Sequence, residues 1–545
     1  MSHSILFGSQ KESAIAWSGV ALLAVLVASR IITHKQNLTQ LGHLPGLRTA
    51  YTFLSLPAAL FPRSRWLWFP GLNFLWQNRK NLYKPYGVGI DTISWMGWLT
   101  GTTMILSSNI EVMRAISPGT KSDWHKPDFS TELLKTFGDN IFAASGGEAW
   151  RSHRRAMGPA FTQGLYQLVW RKTASLYREM VATEGWADGH SVEINRIQDH
   201  TSKFSLLILS SCCLGLNFEW LERELASVDD TEMSLLRALE VVNTQMVLGL
   251  IPSWVLRLPF KYFRDYVKAS RMILEWIGAQ VVERKDIIRS RSELGADQLA
   301  EDCFTMMVKA NEEEGSKFRM TDQELVGNMY ILLFAGHDST SNALAATLAY
   351  LAIDTDIQDE IVEQIVSVVG WDRDTEFDDY RKLDKVLAAF FEGTRLYPPA
   401  SLLFRESLVD TTIPIQGPVG EDGTKLLPIR KGTLVVIDLI GMQHNERYFD
   451  EPEKFKPWRW LGLSPVSDAM TAFGAGPRAC IGRQFATTEA VALLTMFLRD
   501  WKVEPLLSSG ETLEGWKERV FDANLRLTLG MKDLPLRLVR REKSG

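Results

Sequence analysis

The first pattern to stand out along the chain is apolar. Residues 14–29 carry no charge and are mostly apolar, and Ile31 and Ile32 extend the run past Arg30. A stretch reaching from 13 to 33 has the length needed to cross a bilayer. It predicts one N-terminal transmembrane helix at about 13–33, within an anchor of residues 1–33, followed by a separate domain at 34–545. No small-x-small cleavage site follows to mark a secretory leader. Lys11 and Glu12 cancel before the run, whereas Arg30, Lys35 and Arg48 follow it, so the positive-inside rule puts the bulk of the protein in the cytosol. In that orientation the Asn37-Leu38-Thr39 sequon is out of reach of lumenal glycosylation.

Two later runs follow the helical period. Thr321-Asp-Gln-Glu324 has the form of a capping box. Leu325, Met329, Leu332, Leu333 and Gly336 continue one face, and Ala343, Leu344, Thr347, Leu348 and Leu351 resume it. Ala335-Gly336-His337-Asp338-Ser339-Thr340 interrupts the middle with residues that suit a helix poorly: glycine costs about 1 kcal/mol against alanine, and hydroxyls compete for backbone carbonyls and bend the helix. Such a local conflict is expected where function demands it, and a local opening there leaves room for a small ligand. The second run, Arg483 to Trp501, repeats Leu493, Leu494, Phe497, Leu498 and Trp501 at helical spacing. Two other stretches, 51–76 and 251–263, mix aromatic residues with Pro and Arg, including Arg63, Arg65, Trp66 and Trp254. They read equally as membrane-interface segments or as packed loops.

Composition narrows the class. Of 545 residues, 46% are hydrophobic and 23% charged, an ordinary globular balance. The net charge of −5 gives no reason to expect nucleic acid. The four cysteines, Cys212, Cys213, Cys303 and Cys480, show no CxxC or framework spacing, so neither a disulfide scaffold nor a zinc site is indicated.

The candidate chemistry sits at Phe473-Gly-Ala-Gly476-Pro-Arg478-Ala-Cys480-Ile-Gly482. Gly476 and Gly482 let the backbone turn tightly and lie close to a flat ring. Arg478 is a charge-assisted partner for a propionate. Cys480 precedes a helical run, where the dipole and free N–H groups favour a thiolate. Elsewhere, Glu392 and Arg395 share a helical face among Leu387, Phe390, Phe391 and Leu396, so a buried pair is expected, and the 455–460 stretch offers Arg459 as a further donor. Trp150 and Arg154 stand at i and i+4.

Together these motifs resemble the cytochrome P450 superfamily, in a eukaryotic microsomal and fungal style, from about residue 40 to the C-terminus. The resemblance implies a mainly α fold with a small β-rich part. It implies haem held by Cys480 as metal ligand, with Phe473, Gly476, Arg478 and Gly482 in the cofactor loop, and Trp150, Arg154 and Arg405 on the propionates. It casts Asp338, Ser339 and Thr340 as the proton relay for dioxygen. The family usually has threonine where this chain has Ser339, which keeps the hydroxyl but loses the methyl that stiffens χ1. Glu392, Arg395 and Arg459 correspond to a structural triad. Residues 126–145, 331–335 and 400–404 would line an apolar substrate space with Phe129, Phe142, Leu333, Leu402 and Leu403. The implied partners are dioxygen, a lipophilic small molecule, the bilayer and a separate NADPH–cytochrome P450 reductase, docking near Arg151, Arg155, Arg483 and Lys502. The implied place is the endoplasmic reticulum membrane, in secondary metabolism such as terpenoid tailoring. Two rival expectations are a thiolate-haem isomerase or dehydratase that needs no electrons, and a haem sensor or transport protein.

Overall fold

The structure, a computed structural model, describes residues 4–543 apart from 56, 59–60, 62–63, 65, 118–122, 188, 217, 221–232, 246–247, 250, 295–301, 313–318, 417–422, 464–470 and 526–527. Between residues 4 and 16 it describes the backbone alone. Arg63 and Arg65 therefore lie outside the described residues, as do the side chains at the start of the expected 13–33 span.

The described contacts group into two compact units. The first combines residues 1–116 with 402–442. It opens with helix α1, Ser4–Gln40, which runs past the expected boundary at 33 and meets the body where Asn37 Nδ2 donates to the Gly101 carbonyl at 3.4 Å. Along α1, Trp17, Leu22, Val25 and Ile32 are exposed. Among the described residues no helix is long and apolar enough to cross a membrane.

The sheet of this unit places β1 (Gly46–Thr49) parallel to β2 (Thr92–Gly97), and β2 antiparallel to β3 (Thr103–Ser107). β4 (Leu402–Ser407) runs antiparallel to β5 (Leu434–Asp438), which lies parallel to β3. Every residue of β2 is buried, so this strand is covered on both faces. Trp95 fills one side between Phe53 and Phe74 and donates its indole N–H to Thr49 Oγ1 at 2.8 Å.

The second unit, residues 117–401 and 443–545, is mainly helical. Its helices include α2 (Gly147–Met157), α3 (Gln163–Thr183), α4 (Ile197–Leu214), α5 (Lys261–Leu294), α6 (Asp322–Ile353), α7 (Thr355–Val369), α8 (Asp384–Leu396) and α9 (Arg483–Asp500). α6 is its central post: apolar on nearly every side, as a helix surrounded by protein must be. It begins as the sequence predicts, with Thr321 Oγ1 accepting from the Glu324 N–H and Glu324 reaching back to the Thr321 N–H at 2.8 Å. It ends at Asp354, whose side chain accepts from the Ile357 N–H and so starts α7 at once.

The 483–501 run ends one residue sooner than its spacing predicts. Trp501 is the first residue of the strand Trp501–Pro505, which pairs antiparallel with Leu536–Arg540 and through it with Ser191–Ile194. A helix also covers the whole Ala335–Thr340 interruption without a break. Gly336 serves a different purpose from opening it: a Cβ there would stand 2.8 Å from Leu209 Cδ1, so the glycine lets α4 approach α6 closely.

Candidate active site

The cysteine loop is built by one reversal of the backbone. The Cys480 N–H donates to the Phe473 carbonyl at 2.8 Å and closes the loop on itself. Gly476 takes φ +67°, and a Cβ there would press to 3.3 Å from the Ser117 carbonyl oxygen, so this position needs glycine. Gly482 has φ −86°, so no backbone strain demands glycine there, and a Cβ would stand in ordinary contact with Cys480 Sγ at 3.9 Å.

Cys480 is exposed, whereas Cys212, Cys213 and Cys303 are free and buried. Cys480 is exposed as a residue, yet its thiol is densely ringed by protein, and that burial pushes its pKa up. The Gly482 backbone, Arg154 and Arg483 pull the other way and favour the thiolate.

Of the expected partners, Trp150, Arg154 and Arg478 lie in the same unit as this loop. Trp150 and Arg154 lie on α2, one turn apart. The Arg478 guanidinium stacks 5.0 Å from the centre of the Trp150 ring and donates to the Ala144 carbonyl at 3.0 Å. Burial lowers the Arg154 pKa while the charge of a Cys480 thiolate raises it, so the two groups interact electrostatically. α2 is fixed to α6 by the buried His153, whose Nδ1 lies 2.8 Å from Asn328 Nδ2.

Arg483 turns inward and lies 5.5 Å from the Phe473 ring and 5.9 Å from Phe391, which makes it a poor docking residue. Arg155, by contrast, is exposed. Arg405 belongs to the other unit. It is buried on β4, donates to the Phe404 carbonyl at 2.7 Å, and burial lowers its pKa to about 10.

On α6, Ala335 is exposed between buried Phe334 and half-buried Gly336, and Ser339, four residues on, shares its face. Leu333, expected to line the substrate space, is buried instead, because it lies on the other side of the helix. Phe129 and Phe142 are exposed, and Phe142 carries the Lys126 ammonium over its ring at 3.9 Å. Both relay hydroxyls bond back to the helix: Ser339 Oγ donates to the Ala335 carbonyl at 2.7 Å and Thr340 Oγ1 to that of Gly336 at 2.8 Å. Buried His337 donates its Nδ1–H to the Leu333 carbonyl, 3.2 Å away, and burial lowers its pKa. Asp338 meets a residue the sequence did not single out: Thr528 Oγ1 donates to its Oδ2.

Glu392 and Arg395 are completely buried and joined by two hydrogen bonds of 2.9 and 2.8 Å. Arg395 also donates to the carbonyls of Gln443, Pro452 and Lys454. Glu392 further accepts from Arg459 at 3.2 Å, the Lys456 N–H at 3.0 Å and the Trp460 indole at 2.8 Å. The sequence predicts Arg459 but not the Trp460 indole or the three carbonyls that accept from Arg395. A cavity of about 730 Å³ lined by residues such as Asp359, Trp371, Lys502 and Arg541 includes none of the site residues.

Comparison with known proteins identifies the family. The family model "Cytochrome P450" matches residues 62–520. The chain is 29% identical to cytochrome P450 monooxygenase 124 of Postia placenta over 529 residues, 96% of this chain and 98% of that one. It is 25% identical to ganoderic acid synthetase CYP5150L8 of Ganoderma lucidum, over 90% of this chain and 92% of that one. The crystal structure of the cytochrome P450DA heme domain superposes with a TM-score of 0.69 at 20% identity, covering 92% of this chain and 98% of that one.

Proposed function

This chain belongs to the cytochrome P450 family and is a haem-thiolate monooxygenase, and from that premise we propose that it inserts one oxygen atom from dioxygen into a lipophilic small molecule, using electrons from a separate NADPH-dependent reductase. The observation that carries the reading is the accessible Cys480 on a self-closed loop between two arginines. The residues fit haem: a single soft sulfur donor, a glycine where a side chain would intrude, and an indole and guanidinia for the propionates. Cys480 would hold the iron, and Trp150, Arg154 and Arg478 the acidic edge. Haem supplies the dioxygen activation, for which a thiolate ligand is suited. The chain supplies the rest. Asp338 and Ser339, with Thr340 behind them, move protons from solvent toward the face of α6 at Ala335. The reductase docks on the cationic side that carries Arg155.

We also place the protein in the endoplasmic reticulum membrane, held by α1 with the body in the cytosol, and in secondary metabolism. The exposed apolar side chains of α1 support the first. So do Trp66 and Trp68 in the first unit and Trp254 and Phe260 in the second, exposed aromatics of the kind that sit at a bilayer surface. The named activity of the Ganoderma lucidum relative supports the second.

The test is reconstitution with a P450 reductase and NADPH, profiling products from farnesol, progesterone, dodecanoic acid and naphthalene. NADPH-dependent incorporation of oxygen is expected; a product formed without NADPH would favour the isomerase reading, and a haem protein that makes no product with either would favour a sensor. Cys480→Ala and Cys480→His should lose the red-shifted ferrous carbonyl band, and a normal thiolate spectrum in either would refute Cys480 as ligand. Deleting residues 1–33 should release much of the protein from membranes and leave that band intact.

A further inference from the structure

Asp338 is gripped from outside its own helix. Thr528 stands just before the strand Leu529–Met531, which pairs with Ala523–Leu525. Its hydroxyl donates to Asp338 Oδ2 and receives the Asn342 amide N–H at 2.9 Å. Asn342 lies one turn beyond Asp338, so the two residues share a face of α6 and Thr528 bridges them. Its place is held in turn by the strand: a Cβ on Gly530 would come within 2.7 Å of the Asn342 amide oxygen.

The direction of this chain follows from donor chemistry. An ionised carboxylate only accepts, and an amide nitrogen only donates. With the Asn342 N–H occupying its oxygen, the Thr528 hydroxyl has one proton to give and one acceptor in line for it. Among the described residues, Asp338 has no other side-chain hydrogen-bond partner. We propose that Thr528 is a positioning residue for the proton relay: fixed by Asn342, it holds the Asp338 carboxylate in a single rotamer and leaves Oδ1 to exchange protons with solvent and Ser339. A short aspartate at the rim of a helix otherwise samples its staggered rotamers freely, and proton transfer requires the group to be within hydrogen-bond reach. The inference rests on the monooxygenase reading for its consequence but not for its geometry.

Two measurements keep these apart. The first is a thermal double-mutant cycle on the haem-loaded full-length protein, combining Thr528→Val with Asp338→Ala. Thr528→Val should lower the melting temperature more when Asp338 is present than when it is absent, where only the bond from Asn342 is lost; additive shifts would show that the grip does not exist. The second is the share of NADPH that ends as peroxide, measured with reductase and whichever of the four probe substrates the wild type converts. Thr528→Val should raise that share several-fold with the ferrous carbonyl band unchanged, Thr528→Ser should restore it, and Asn342→Leu should have a smaller effect in the same direction. Unchanged coupling in Thr528→Val would overturn the positioning role. A wild type that oxidises no NADPH would instead refute the monooxygenase reading, and the melting cycle would still decide the grip.

Discussion

Two carboxylates of the second unit, Glu392 on α8 and Asp338 on α6, show how environment divides one functional group into two roles. Glu392 is dry and saturated, with five donors from Arg395, Arg459, Trp460 and the Lys456 backbone. Asp338 is half-exposed and, among the described residues, has one side-chain donor, Thr528. A carboxylate with every lone pair engaged cannot exchange a proton without breaking its surroundings, so it serves as a joint. One with a free oxygen at accessible space can exchange protons with little rearrangement.

The largest effect should come from breaking the saturated member. Glu392→Ala leaves the Arg395 charge buried without its counter-ion, and should cost about 3–5 kcal/mol. Little folded, haem-loaded protein is expected, read by the carbonyl spectrum and by melting.

Glu489 sharpens the comparison because it is buried but poorly served. It accepts from Ser205 at 2.7 Å, its Oε2 has no partner among the described residues, and burial raises its pKa to about 8. The unfolded chain releases that proton near pH 4.3 or so, a model-peptide value. The folded state thus binds more protons between those limits, and its stability falls as pH rises toward about 8. Glu489→Gln should flatten this decline and exceed the wild type above pH 8 by up to a few kcal/mol. Equal pH slopes in urea unfolding would show that Glu489 is charged throughout.

Arg459→Lys trims the saturated cluster at its more exposed edge, where the Arg459 Nε–H donates to Glu392 Oε1 at 3.2 Å. A loss of about 1–2 kcal/mol is expected by denaturant melting, in the range of a single charged hydrogen bond. Smallest on stability should be Ser339→Ala, within about 0.5 kcal/mol, because a hydroxyl that bonds back to its own helix adds little to it. Its effect belongs to chemistry: product per NADPH should fall and peroxide rise, with Ser339→Thr keeping the coupling. Coupling lost in Thr340→Ala and kept in Ser339→Ala would move the relay one residue along.

The sequence disclosed features whose determinants are local. The cysteine loop, the capping box at Thr321 and the Glu392–Arg395 pair each lie within ten residues of chain, and local spacing was enough to read them. Thr528 escaped notice because its partner is 190 positions away and nothing about a lone threonine before a short strand marks it. The carbonyls around Arg395 escaped because backbone groups have no letter of their own. Trp501 was assigned to a helix since its distance of four from Phe497 fits that period, while the alternating burial of Trp501–Pro505 fits a strand equally well. Leu333 failed on helix phase: periodicity reveals that a helix has faces, but only packing against α4 and its neighbours decides which face meets open space.

The hydrogen bonds that converge on Glu392 also bear on the order in which the protein assembles. Before they form, the tether from α8 to Cys480 is nearly ninety residues long; once Trp460 is hung on Glu392, about twenty remain. Loop-closure entropy scales with the logarithm of length, so the shortened tether lowers the cost of bringing the cysteine home by about 1 kcal/mol. The joint would then act as a staging point in folding, set early so that the thiol reaches an arriving cofactor from a short leash rather than a long one.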